Sequence, residues 1–184
     1  MKASAQNSTR DTLLIFALLV LLAVASRLMW HPPNFTALDA IAVFAGARLL
    51  DRKLALLMPL LALAISDLAL ELTTGFGFHG GMWVVYLCMG FTVWLGMLAA
   101  GRGRLAMFGA GVLGATVFFV VTNLAVWLGS GMYSLDSTGL ASCFALALPF
   151  YKYQLAGVMV YLSLLLALEH VRSRVSAKPV PQIG

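Results

Sequence analysis

Charge is what this sequence has least of. Asp, Glu, Lys and Arg make up 10% of its 184 residues, against about 25% in an ordinary soluble domain. With 61% apolar residues and a mean hydropathy of +0.94, a water-soluble globule is excluded. Cysteine is also scarce: Cys88 and Cys143 lie too far apart for a CxxC redox pair or a zinc knuckle, and two thiols make no disulfide framework. The three histidines, His31, His79 and His170, are scattered and no H-E-x-x-H occurs, so no closed metal site is legible. Neither a nucleophile with its base nor a phosphate-binding G-x-x-x-x-G-K-[ST] is present. No intrinsic cofactor is expected, and any ATP-driven step would need separate subunits.

What remains is apolar sequence with polar punctuation. At about 20 residues per crossing plus short loops, the chain has room for roughly six membrane helices, an all-α polytopic protein. The first span is Thr12 to Trp30, closed by His31, Pro32 and Pro33, where proline breaks the helix. A shorter helix runs from Thr36 to about Leu50, and its T-x-x-D spacing puts Asp39 in the first turn, where the helix dipole favours a carboxylate. Asp51, Arg52 and Lys53 form a polar turn before a third span, Leu54 to about Leu72. The glycine-rich loop Thr73 to Gly81 follows, then a fourth span from Met82 to Ala100 and a fifth from Leu105 to about Leu128. After a polar loop, Gly129 to about Ser142, Pro149 separates a short surface or re-entrant segment from a sixth span, about Phe150 to His170. Residues 1–11 and 171–184 are read as tails flanking a membrane domain of residues 12–170, the second of them disordered.

The basic residues orient this layout. Lys2, Arg10, Arg48, Arg52, Lys53, Arg102, Arg104, Arg172, Arg174 and Lys178 fall on one side, leaving Arg27 and Lys152 of the twelve for the other half. By the positive-inside rule both termini are cytoplasmic, and the net charge of +5 is a topology signal and not a nucleic-acid footprint. The loops near His31, His79 and Asp136 then face outward, with Trp30, Trp83 and Trp127 near the outer interface. A competing reading takes Lys2, Arg10 and Ala23-Val24-Ala25 as a signal peptide with an A-x-A cleavage site.

Ionisable groups deep in a span cost about 2.5–3.5 kcal/mol on insertion scales and are usually paired or functional. Arg27, Asp39, Asp67, Glu71 and Lys152 are such groups, each toward the outer end of its helix. Asp67 and Glu71 share a face at i, i+4. Tyr86, Cys88, Asn123, Trp127, Tyr151 and Tyr153 fall in the same layer, with His31, Asn34, His79, Tyr133 and Asp136 in the loops above, which outlines an outward-facing polar pocket. Blander readings stand beside this one. Asp39 serves equally as a helix cap, Glu71, Arg27 and Lys152 as snorkelling side chains, Asp67 as an ion-pair partner of Arg27 or Lys152, the aromatics as an interfacial belt, and Cys88 as a small buried apolar group. Gly109-Ala110-Gly111-Val112-Leu113-Gly114 matches G-x-G-x-x-G, but inside an apolar helix its small residues point to close helix packing and not to a dinucleotide.

The runs PNFTALDAIAVFAGARL, LLMPLLALAISDLAL, TNLAVW and GLASCFALALPFYKYQLAGVMVY together carry a resemblance. They resemble small bacterial membrane proteins similar to the substrate-binding S components of energy-coupling-factor vitamin transporters, among them BtuM-type cobalamin transporters. The likeness covers about Arg27 to Leu168. It implies six helices, a bacterial inner-membrane location and a substrate held near the outer surface beneath loops. In BtuM-type relatives a cysteine in the loop after the third helix can ligate cobalt. The corresponding loop here, Thr73 to Gly81, has no cysteine and offers His79, with Cys88 further along as a second candidate.

The expectation is therefore an S-component-like transporter that takes up a micronutrient, a corrinoid such as cobalamin being the first candidate, alone or with a separate energising module. Arg27, Asp67 and Lys152 set the charge of its pocket, Asn34 and Asn123 hydrogen-bond the ligand, and Tyr86 and Trp127 provide apolar walls. The alternatives are an intramembrane enzyme and a structural membrane subunit.

Overall fold

The computed structural model describes residues 2–176, with side chains described over 14–174. It contains six helices in chain order: α1 Lys2–Leu28, α2 Leu38–Arg48, α3 Arg52–Thr74, α4 Met82–Ala99, α5 Arg104–Gly129 and α6 Ser137–Ser176. No strand occurs among the described residues. Short connections reverse the chain at each step. Arg48, Arg52, Lys53, Arg102 and Arg104 consequently gather at one end of the bundle, here the basic end. The loops 75–81 and 130–136 lie at the other, here the far end.

Four helices are long and apolar enough to cross a membrane: α3, α4, α5 and α6. The chain is thus an all-helical membrane protein. The expected count of six helices is met, but α2 has 11 residues, and at 1.5 Å per residue it rises only about 16 Å, half of a hydrocarbon core of about 30 Å. The described apolar part of α1, Leu14–Leu28, is also short of a full crossing. Two boundaries differ from expectation. Helix α1 begins at Lys2, inside the stretch read as a tail. Helix α6 is continuous for 40 residues through Pro149, so no separate re-entrant segment precedes it; a proline forfeits one backbone hydrogen bond, which a long packed helix tolerates. That helix also carries the expected tail onward to Ser176, and Lys178 lies outside the described residues.

Packing follows the membrane pattern of small residues inside and large ones outside. Ala23, Ala40, Ala42, Ala45, Ala55 and Ala62 are wholly buried, whereas Leu68, Leu87, Trp94, Leu105 and Leu168 are exposed on surfaces suited to lipid. Glycines set the closest approaches. A Cβ on Gly46 of α2 would collide with the Val93 carbonyl of α4, and one on Gly96 of α4 would lie 2.5 Å from the Val43 carbonyl oxygen of α2. Within the G-x-G-x-x-G run, Gly111 faces Val158 and Gly114 faces Thr92, while Gly109 faces open space. The motif is a helix-packing device, as its apolar setting implied.

Among the described residues, the pairs Arg48–Glu169 and Arg27–Asp67 tie helices of the bundle together. At the basic end Arg48 donates to both carboxylate oxygens of Glu169, 2.6 and 3.1 Å, joining α2 to α6. Nearer the far end Arg27 pairs with Asp67 at 2.5 Å, joining α1 to α3.

Candidate functional site

Helix α3 shows how the sequence builds the site. Its buried residues, Ala55, Met58, Pro59, Ala62, Leu63, Ser66 and Asp67, recur at the three- and four-residue intervals of one helical face. The last two positions of that apolar stripe are polar, so Ser66 and Asp67 are delivered to the bundle interior. Arg27, one residue before the end of α1, meets them there. Its Nη1 donates to the Asp67 carboxylate and to the Ser66 hydroxyl, both at 2.5 Å, and lies 3.4 Å from the Leu63 carbonyl oxygen. The Tyr86 hydroxyl of α4 donates to the other Asp67 oxygen at 2.9 Å. Both oxygens of this carboxylate are therefore satisfied, by groups from two other helices, α1 and α4.

Because Asp67 lies seven residues before the end of α3, the turn after α1 sits roughly 10 Å below the far end of the bundle. Irregular backbone at such depth is tolerated where its polar groups are satisfied or line a cavity. Both conditions are met in 29–37. Ser26 of α1 accepts from the Ala37 N–H at 3.0 Å, so the start of α2 is held from outside, and Ala37 itself makes no side-chain cap. Asn34 adopts a left-handed φ of 64°, a conformation that asparagine visits more readily than most residues. On the far side of this turn Gly157 of α6 is the close-packing position, where a Cβ would sit 3.0 Å from the Thr36 carbonyl oxygen.

Asp39 is not the cap that the T-x-x-D spacing offered. It is buried at 5% exposure, and its Oδ2 accepts from the Gln154 side-chain amide of α6 at 2.9 Å. Its Oδ1 is buried without a hydrogen-bond partner. This carboxylate lines a cavity of about 90 Å³ together with Arg27, Asn34, Thr36 and Gln154, and with apolar walls that include Leu63 and Phe118. A second cavity of about 120 Å³, lined by Asn34, Phe118, Phe119, Thr122, Asn123 and Gln154 among others, shares three of those residues and adjoins it.

The structure thus brings Arg27, Asn34, Asp67 and Tyr86 to one region and sets Asn123 on the wall of the adjoining cavity, its amide donating to the Phe119 carbonyl at 2.7 Å. Four other candidates lie elsewhere. Lys152 is exposed on the outside of α6, its ammonium 4.7 Å from the Tyr153 ring centroid, along a shallow open depression that runs past Pro149. Asp67 pairs with Arg27 and not with it. The Trp127 indole N–H donates to the Ser134 carbonyl at 2.9 Å and fastens the end of α5 to the loop 130–136. His79 is exposed in the loop between α3 and α4, and Cys88 is buried on α4. Among the described residues no three His, Cys, Asp or Glu side chains cluster as a metal site.

Glu71 does not snorkel. Its Oε2 accepts from the backbone N–H groups of Gly77 and Phe78, at 3.0 and 2.9 Å, and folds the glycine-rich loop back over α3. Only a glycine fits at 77, since a Cβ there would collide with the Asp67 carbonyl oxygen. Asp136 plays the matching part in the other far-end loop. The Gly139 N–H and the Ser134 hydroxyl donate to its carboxylate, and these bonds hold its pKa below the ordinary value.

Sequence reasoning missed Gln154 altogether and weighed Asp39 evenly between a helix cap and a member of the polar layer. The signal for Gln154 was a lone amide in an apolar run, which its neighbours Lys152 and Tyr153 overshadowed. No curated protein and no solved structure matches the chain. A family described as one of unknown function, DUF6580, matches residues 7–179, and the chain belongs to that family.

Proposed function

We propose that the chain is an S-component-like transporter of the bacterial inner membrane that binds a micronutrient in the cavity between α1, α2 and α6 and carries it inward. The observation that carries this reading is the convergence of Asp39, Gln154, Asn34 and Arg27 on an interior cavity, since polar groups in a membrane bundle are retained where they pair or bind. Asn34 is exposed as well as cavity-lining, which gives the cavity a route to the far end. If the positive-inside rule orients the chain, that end faces outward.

Cavity size shapes the substrate. At about 30 Å³ per water molecule, cavities of about 90 and 120 Å³ hold three or four waters each. A corrinoid, the candidate that the S-component resemblance supplies, enters only if the loops 75–81 and 130–136 part and the wall between the cavities opens. His79 in the first of those loops is then the cobalt ligand, with Cys88 second. The test is growth of a bacterial host that needs external cobalamin and lacks its own inner-membrane importer. Rescue at low cobalamin, lost in Asn34→Ala and Gln154→Leu, is expected. Absence of rescue with the protein present in the membrane overturns the corrinoid assignment.

A second reading is favoured by the Arg27, Ser66, Asp67 and Tyr86 cluster. Its groups satisfy one another within the bundle, which is what a structural tie between helices requires. In this division of labour that cluster holds α1, α3 and α4 together, and the Asp39 side of the cavity meets the ligand.

A further inference from the structure

We infer that the cavity at Asp39 is a binding site for a small monovalent cation, a metal ion or the ammonium head of a small solute. Four observations converge. The Asp39 side chain is buried, the residue lines the cavity, its Oδ1 is buried without a partner, and its single described hydrogen bond comes from a neutral amide. The described ion pairs join Arg27 to Asp67 and Arg48 to Glu169, and neither includes Asp39.

Charge fixes the valence. Arg27 and Asp39 line this space and Asp67 lies behind it as the partner of Arg27, two carboxylates against one guanidinium, and the guanidinium is committed to Asp67. One negative charge is left over. Burying a carboxylate without a counter-charge is severely unfavourable, while the N-terminus of α2, in whose first turn Asp39 lies, favours its ionised form. A single positive charge in the cavity resolves both demands, and a cation that binds there displaces the proton that a buried carboxylate otherwise takes up.

The neighbouring groups have the chemistry for it. Asn34 and Thr36 line the same cavity and can offer an amide and a hydroxyl oxygen, the hard donors that unpolarisable cations prefer. A volume of about 90 Å³ admits a sodium or potassium ion with a water or two, or ammonium or methylammonium, and excludes a bulky quaternary cation. Where the cation is the head of a solute, the phenyl rings of Phe118 and Phe119 beside the adjoining cavity suit its apolar body. This inference rests on the solute-binding reading for its purpose, and the two fail separately, because cation binding is measured on the isolated protein and uptake in cells.

The experiment is thermal unfolding of the purified full chain in detergent, at constant ionic strength, with choline chloride replaced stepwise by sodium, potassium, ammonium or methylammonium chloride. A saturable rise of the midpoint with at least one small cation is expected, and ammonium against metal ions separates the two sources. Asp39→Asn should abolish the rise. Asn34→Gly, which keeps the left-handed backbone and removes the amide, should shift the half-saturating concentration upward about tenfold, the worth of one charge-assisted contact; this variant serves if Asp39→Asn does not fold. The inference is overturned if every salt matches choline, if Asp39→Asn responds like the parent, or if Asn34→Gly leaves the half-saturating concentration unchanged.

Discussion

Asp67 and Asp39 are both buried acids of a membrane bundle, and the structure treats them in opposite ways. Asp67 has a guanidinium on one oxygen and a phenol on the other. Asp39 has one amide on one oxygen and nothing on the other, in a cavity. A satisfied carboxylate is a fastener, because each partner it holds lies on a different helix. An unsatisfied one is costly as an anion, and it is relieved either by a proton or by a partner bound from outside. Burial is the same for both, so the count of partners, and not depth, distinguishes the two acids.

The largest expected effect tests the fastener. Removing one partner of a buried pair leaves the other charge uncompensated, which costs about 3–5 kcal/mol; Arg27→Met or Asp67→Ala should fall near the lower figure because the Arg27 side chain retains 20% exposure. The double variant Arg27→Met with Asp67→Leu should recover most of that loss in thermal unfolding. Equal instability of the single and double variants would contradict the ion-pair account.

Tyr86→Phe comes next. It deletes one donor to Asp67 and keeps the ring, so a loss of about 0.6–1.5 kcal/mol is expected, the range for one hydrogen bond within a membrane bundle. A neutral result would show that water or Arg27 takes over the second oxygen.

Asp39→Asn should have the opposite sign when measured with only a bulky cation present. Relieving an unpaired buried charge should leave the unfolding midpoint unchanged or raised, within about 1 kcal/mol. Should it instead unfold the protein as Asp67→Ala does, Asp39 is a second fastener and the contrast between the two acids fails.

The smallest effect belongs to an acid outside the membrane. Hydrogen bonds hold the Asp136 pKa below its ordinary value, so its contribution to stability is present above the ordinary carboxylate range and lost as pH falls through the lowered value. Asp136→Asn should flatten the acid side of the stability profile slightly, with no change at neutral pH beyond the loss of the charge-assisted bonds. An unchanged profile would assign the acid limb to other carboxylates.

Much of this was legible beforehand. Apolar runs separated by Pro32-Pro33, the Asp51 turn, the glycine loops and Gly101-Arg102-Gly103 placed α2 to α5 within a few residues, because water and lipid partition residues before any tertiary contact forms; α1 and α6 both begin well before the expected Thr12 and Phe150. Asp67 and Arg27 stood out because charge in an apolar run is expensive wherever it packs. Lys152 stood out for the same reason yet faces outward, since hydropathy records that a residue is polar and not the direction in which its helix face is turned. Trp127 and His79 followed from their position near the far-end loops, which fixes a residue's level along the bundle but not its neighbours.

Composition and periodicity by themselves determined that this is an all-helical membrane protein with its basic residues gathered at one end. Local free energies decide those features, each within a turn or two of chain. Only the tertiary structure decided that Ser26 holds the start of α2. The same is true of the pairing of Asp39 with Gln154, 115 residues away. Those outcomes depend on which helix faces meet, and the glycines that allow α2 to touch α4 settle it by steric fit across the whole bundle.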